Sequence, residues 1–274
     1  MTLAKTMCGL GCSLTCLTAL FAFQRPFHQY PGVEYTNFEL PDDWKVDGEW
    51  VFARLMFPGG PLDGYYPRFQ GDFHKGLSLW TQDYPRADRH FSLALRRLSR
   101  VQVRSVEQPI DAEDGTEIYN FPWLYAVQVG EWGLTENEAK VLREYLLRGG
   151  FFMADDYHGT EERAEFERRM QFVFPDRPIV EIPDADAIFH TVYDINDRYQ
   201  VPGQAHLRLG YKNNGIGGHW MGIYDDKGRI MVAASYNSDL GDAWEFADDP
   251  YYPEKFSDLA IRLGVNYVLY AMTH

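Results

Sequence analysis

A three-layer α/β sandwich around a mostly parallel central sheet is the fold class this sequence predicts. Two observations carry that expectation. Between residues 49 and 274, short apolar runs alternate with amphipathic segments of helical period, the signature of strands joined by covering helices. The chain also has 274 residues, 45% hydrophobic and 16% aromatic, enough to fill a core on both faces of a sheet.

The elements follow in order. Residues 23–48 are Pro-rich and polar and read as an extended lead-in to a single α/β domain over 49–274. The Asp47–Gly48 turn opens into EWVFARLMF, a strand. PGGPLDGYYPRFQGDFHKGLSLWTQDYPRA has no clear period and reads as a long functional loop. Asp88 is expected to N-cap a helix through Arg100, with Phe91, Leu95 and Leu98 on one face and its arginines in solvent. VQVRSV alternates as a half-exposed strand, and WLYAVQV reads as a buried one. TENEAKVLREYLLRGG begins with a capping box, Thr135 and Glu138, and stops at Gly149. FFMAD is the next strand, and GTEERAEFERRMQFVF the next helix, with Thr160 as its expected cap. PIVEI is a further strand, HWMGIYDDKGRIMVAAS predicts two strands around an Asp-Lys-Gly turn, and DLAIRLGVNYVLYAMT closes the chain as a helix.

Charge and cysteines narrow the function. A formal charge of −14, with no basic run, argues against nucleic acid or an anionic lipid surface as partner. MTLAK precedes the uncharged run TMCGLGCSLTCLTALFAF, so residues 1–22 predict an export signal cut after Ala22 or, uncut, a membrane anchor. Periplasm or cell envelope is the expected location. Cys8, Cys12 and Cys16 all lie in that segment, which leaves the α/β domain without a cysteine nucleophile, disulfide or thiolate ligand.

Ligands of parallel sheets bind outside the carboxyl ends of the strands. There the sequence places GGFFMADDYHGTEER, whose apolar run meets Asp155, Asp156 and His158. Successive strand residues face opposite sides, so both aspartates share a pocket only if the chain turns between them. SYNSDLGDAWEFADDP offers Asn237, Asp239 and Asp242 from the loop after IMVAA. Such oxygen-rich loops suit a hard cation, and Trp244 and Phe246 beside them suit a stacked sugar. His190 and Asp194 in FHTVYDI, and His219 in GGHW, are further candidates, balanced against ordinary structural roles. Tyr65, Tyr66, Phe69, Phe73, Trp80 and Tyr84, among Arg68, Asp72 and His74, form either a platform or lid or a cover over the sheet edge. No phosphate loop, GxSxG elbow, HExxH or dinucleotide fingerprint occurs.

The expected site joins Asp155, Asp156, His158, His190, Asn237, Asp239 and Asp242 around a small ligand, a sugar or a divalent cation. Two alternatives stay open: a hydrolase using Asp/His acid–base chemistry, and a module docking on a membrane complex. The residues alone assign neither a catalytic group nor a cofactor.

The runs FARLMFPGGPLDGYYPRFQGDFHKGLSLWTQDYPRADRHF, PWLYAVQVGEWGLTENEAKVLREYLLRGGFFMADDYHGTEE and NSDLGDAWEFADDPYYPEKFSDLAIRLGVNYVLYAMTH resemble a bacterial exported family, domain of unknown function 4159. The likeness spans nearly all of residues 49–274. It implies a class I glutamine amidotransferase-like, flavodoxin-type fold and membrane partners carrying von Willebrand factor A-type domains. That superfamily carries its nucleophilic cysteine after a central strand; here the matching strand end is MADDYHG, without one. Gly149, Gly150, His158 and His190 also loosely resemble the pattern of trehalose-utilisation proteins, which implies a sugar-related ligand.

Overall fold

The computed structural model describes residues 26–63 and 72–274. The expected export segment and Tyr65, Tyr66, Arg68 and Phe69 lie outside these residues. The elements are β1 (Ala53–Met56), α1 (Arg86–Leu98), β2 (Gln108–Asp111), β3 (Trp123–Ala126), α2 (Glu136–Leu147), β4 (Phe151–Tyr157), α3 (Gly159–Val173), β5 (Val180–Glu181), β6 (His219–Tyr224), β7 (Ile230–Tyr236), α4 (Leu240–Glu245) and α5 (Glu254–Thr273). They build one seven-stranded sheet in the order β2-β1-β3-β4-β7-β6-β5. The first five strands of that order pair in parallel, while β6 and β5 join antiparallel at one end.

Alternation along the central strands divides the core in two. Phe152 and Ala154 of β4, with Leu124 and Ala126 of β3, pack on one face with Leu142 and Leu146 of α2 and Phe166 and Met170 of α3. Phe151, Met153, Trp123 and Tyr125 pack on the other with Phe91 and Leu95 of α1, Trp244 of α4 and Leu259 and Leu263 of α5. These strands are buried on both sides, which is why they read as continuous apolar runs.

The α2 start is fixed locally. Thr135 Oγ1 accepts from Glu138 N at 3.1 Å, and Glu138 Oε2 accepts from Thr135 N at 2.7 Å, a complete capping box. Thr135→Ala is expected to cost about 1 kcal/mol, lowering the thermal midpoint by roughly 2–4 °C in a calorimetric melt.

Four local expectations are corrected by tertiary contacts. Asp88 is not a cap: α1 begins after Pro85, and Asp88 lies inside it, fully buried against Arg54 of β1. Arg89 does not face solvent but donates to Glu107 at 3.0 Å. VQVRSV forms only a single bridge, Val103 to Trp50, and the edge strand is instead Gln108–Asp111. Its Pro109 lacks a ladder donor, which hid the strand from a propensity reading. Thr160 does not cap α3 either. The helix starts at Gly159, and its first N–H groups are met from elsewhere: Gly159 N by Asn237 Oδ1 at 2.9 Å and Thr160 N by Asn214 Oδ1 at 3.0 Å.

The lead-in is fastened to the domain along its length. Tyr30 N donates to Tyr84 Oη at 3.1 Å, Val33 N to Thr81 Oγ1 at 3.1 Å, and Glu34 accepts from Gln82 and Asp83.

Candidate functional site

The chain runs from β1 outward to β2, then returns to β3 on the other side of β1, so the connections reverse direction between β1 and β3. A crevice opens at such a reversal, outside the carboxyl ends of the strands. Here it is a cleft of about 440 Å³. Asp83 from the β1–α1 connection, Gln128 after β3, Asp156 at the end of β4, and Asp239 and Asp242 after β7 all line it. Glu34 enters from the lead-in, and His206 and Lys212 from the long connection before β6.

The backbone at these strand ends, and just before α1, is unusual. Asp83, Gln128, Asp156 and Asn237 have φ of 61°, 50°, 50° and 63°. Left-handed backbone is uncommon outside glycine and is held in place by surrounding structure, most often at functional sites. At β4 the cause is a bulge. Ala154 pairs with Ala234, yet Tyr157 pairs with Tyr236, so one extra residue lies between. Asp155 keeps the pleat and faces the α4 side, Tyr157 joins the α2–α3 face, and Asp156 is turned out into the cleft.

The two adjacent aspartates therefore do different work. Asp155 is fully buried, and its Oδ2 accepts from Tyr125 Oη at 3.0 Å, Leu240 N at 2.9 Å and Gly241 N at 2.8 Å. It anchors α4 on the sheet and does not line the cleft. Gly241 is required there, because a Cβ would stand 2.6 Å from Tyr125 Oη. Burial, and then the charge of Asp156, push the Asp155 carboxyl up to about 7. Asp156 accepts from His158 Nε2 at 2.8 Å and lies 3.8 Å from Lys212 Nζ. Burial works to raise its pKa, but Lys212 and His158 outweigh it and hold the carboxyl down to about 2.

Lys212 stands among three acids, 3.5 Å from Glu162, 3.7 Å from Glu131 and 3.8 Å from Asp156. The remaining cleft acids have no such counter-charge. Among the described residues, no lysine, arginine or histidine forms an ion pair with Asp83, Asp239 or Asp242. Burial raises all three carboxyls; repulsion from Asp242 comes next at Asp83 and from Asp156 at Asp239, holding both well above the carboxylate range, and burial with Asp156 pushes Asp242 up to about 7. Several buried polar atoms around the cleft lack any hydrogen-bond partner, among them Oδ2 of Asp83, a residue 1% exposed, Nδ1 of His158, a residue 2% exposed, Oδ1 of Asp155 and Oε2 of Glu245. Asp156, His158 and Asp239 each offer a ligand atom, and these lie within 4.8 Å of one another; the same holds for Asp83, Asp239 and Asp242.

Of the expected site residues, Asp156, His158, Asp239 and Asp242 converge. Asn237 positions them, its Oδ1 holding Gly159 N and its Nδ2 donating to Gly217 O at 2.9 Å. His190 stands outside the cleft: its ring meets Asp194 at 3.0 Å and the Asp184 carbonyl at 2.9 Å, and it borders a separate hollow beside α5. His219 faces Glu181 at 3.3 Å. Trp244 cannot stack a sugar, since it is fully buried against Phe91 with ring centroids 4.5 Å apart. Trp80 and Tyr84 are core residues rather than a lid. Glu34, Asp83, Gln128 and Lys212 were not legible as site residues: they stand in the lead-in, the aperiodic loop before α1, the end of a run read as a strand and the long connection before β6, and each enters the cleft only through the folding of its segment. The Asn-Asn-Gly turn after Lys212 is the one local sign of a tight bend there.

The family model described as Domain of unknown function (DUF4159) matches residues 73–272. No curated protein matches the chain closely enough to show kinship. No described helix is long and apolar enough to cross a membrane.

Proposed function

We propose, for a chain that belongs to the DUF4159 family of domains of unknown function, that its cleft binds a divalent cation. The observation that carries this reading is the set Asp83, Asp239 and Asp242: converging carboxylates without a counter-cation among the described residues. Mutual repulsion inside a low-dielectric cleft is costly, and a hard cation with oxygen ligands removes it. The burial of Trp244 favours a cation over a sugar.

The sheet is read as class I glutamine amidotransferase-like, with the strand end at residues 153–159 matching the place where that superfamily carries its cysteine. Amidotransferase chemistry is excluded from the proposal, since no cysteine follows Cys16. The domain is proposed to be exported to the periplasm or cell envelope through residues 1–22, with a membrane-complex protein as the second reading of its partner. Cell fractionation tests the location; recovery in the cytoplasm alone would remove it.

A thermal melt tests the cation. Chelator should lower the midpoint, and one of calcium, magnesium, manganese or zinc should restore it. A cation at about 100 times its Kd adds about 2.7 kcal/mol, or roughly 5–11 °C. Asp239→Asn should abolish the cation-dependent rise while folding in chelator. A midpoint indifferent to every cation and to chelator would sink the reading.

A further inference from the structure

We infer that the cleft holds two divalent cations side by side, with Asp239 as the carboxylate shared between them. This rests on the cation reading above and goes beyond it in number, placement and chemistry. The two ligand groups, Asp156–His158–Asp239 and Asp83–Asp239–Asp242, have only Asp239 in common. Each contains a buried atom without a hydrogen-bond partner, Nδ1 of His158 in the first and Oδ2 of Asp83 in the second. A side chain that is 1% or 2% exposed cannot satisfy such an atom with bulk water, and together with the convergence of ligand atoms in each group this favours a bound ion.

Asp239 is built for sharing. It caps α4, with Oδ1 accepting from Asp242 N at 2.9 Å, so the carboxylate is held in one orientation. Asp242 is fixed in turn by Gln204 N at 2.7 Å from its Oδ2. The donor sets differ in kind. The first combines imidazole nitrogen with carboxylate oxygen, which suits manganese, iron or zinc. The second is oxygen only, which suits magnesium, calcium or manganese. A third acidic group, Glu34, Asp83 and Glu245, also carries an unpartnered buried oxygen, Oε2 of Glu245, but it is set aside because both oxygens of Glu34 are engaged, by Gln82 Nε2 and Asp83 N, and Glu245 Oε1 accepts from Tyr35. Two-ion centres of this kind hold the metals about 3.5–4 Å apart and clamp the attacking and leaving oxygens of a hydrolytic displacement. The hydrolase alternative gains its machinery from this arrangement.

Manganese is the probe, since it suits both positions. The full chain is stripped with chelator and titrated with Mn²⁺, reading stoichiometry by native mass spectrometry and the spectrum by electron paramagnetic resonance. Two ions per chain with an exchange-coupled spectrum are expected. Asp242→Asn should weaken one ion by about tenfold or more and leave a single uncoupled signal. His158→Gln should do the same for the other ion, and Asp239→Asn should remove the coupling. Asp83→Asn provides a second test of the oxygen-only position should Asp242→Asn fail to fold. One ion per chain, or two without exchange coupling, overturns the pair while the cation reading stands. No bound ion overturns both.

Discussion

Replacing Arg54 by alanine is expected to cost about 3–5 kcal/mol and lower the thermal midpoint by roughly 10 °C or more. Arg54 lies on β1, fully buried, with Nε 2.9 Å from Asp88 Oδ2 and Nη2 also on that carboxylate. Its Nη1 donates to the carbonyls of Trp80 and Gln82, each at 3.1 Å. Burial already pushes the Asp88 carboxyl up to about 6, with Arg54 pulling against it. Truncation leaves that acid and two carbonyls buried without their donor, and an uncompensated buried charge is what makes breaking such a pair severe. The double variant Arg54→Met with Asp88→Leu should recover most of the loss, since the pair is then replaced by apolar packing. Arg54 fixes the carbonyl of Gln82, the residue next to Asp83 at the cleft wall, so the single variant should weaken cation binding as well. A midpoint within about 2 °C of the parent would show that the pair is not holding the β1–α1 connection.

In chelator the protein is expected to lose stability as pH rises, against the common behaviour of an acidic protein. A carboxyl whose folded pKa is raised contributes stability that is complete below its unfolded value and is lost as pH climbs through the folded one. Burial raises Asp155 and Asp242 to about 7, in both cases with repulsion from Asp156 next, and raises Glu245 to about 8, with Glu34 next. The window of loss therefore runs from roughly pH 4 to pH 8. Asp156 acts in the opposite sense: held down to about 2, it contributes stability above its ordinary value, lost only as pH falls toward 2. The net change between pH 5 and 8 is expected to be about 3 kcal/mol or more, roughly 6–12 °C. A divalent cation competes with protons for the same oxygens, so the rise it produces should grow over the same window. Melts in chelator and in cation across that range check both slopes. A midpoint that climbs with pH in chelator would mean the cleft acids are not repelling one another.

The fold was legible because its strands and helices are specified over short distances. FFMAD and IMVAA are apolar enough to be central strands, Thr135 and Glu138 announce a helix, and Asp225, Lys227 and Gly228 make the turn between β6 and β7. Where the reading failed, a distant partner decided. Arg54 drew Asp88 into the interior of α1, and Asn214 and Asn237 took over the cap expected of Thr160. At the site, Asp156, His158, Asp239 and Asp242 were visible because strand ends carrying acids are recognisable one at a time. The sugar-stacking role expected of Trp244 was not realised, because a ring two residues past an acidic loop was needed to fill the space above Phe91.

By itself the sequence determined the α/β alternation, the strand ends that carry acids, and the absence of a thiol nucleophile from the α/β domain. Hydrophobic periodicity and residue chemistry are local properties that need no partner. Only the tertiary structure decided that Asp155 is an anchor and that Asp156 lines the cleft, since that depends on one extra residue in the pairing of β4 with β7. It also decided that Lys212 neutralises one side of the cleft and leaves Asp83, Asp239 and Asp242 to one another. Charge interactions act between residues more than a hundred positions apart in the chain, and no local pattern records them.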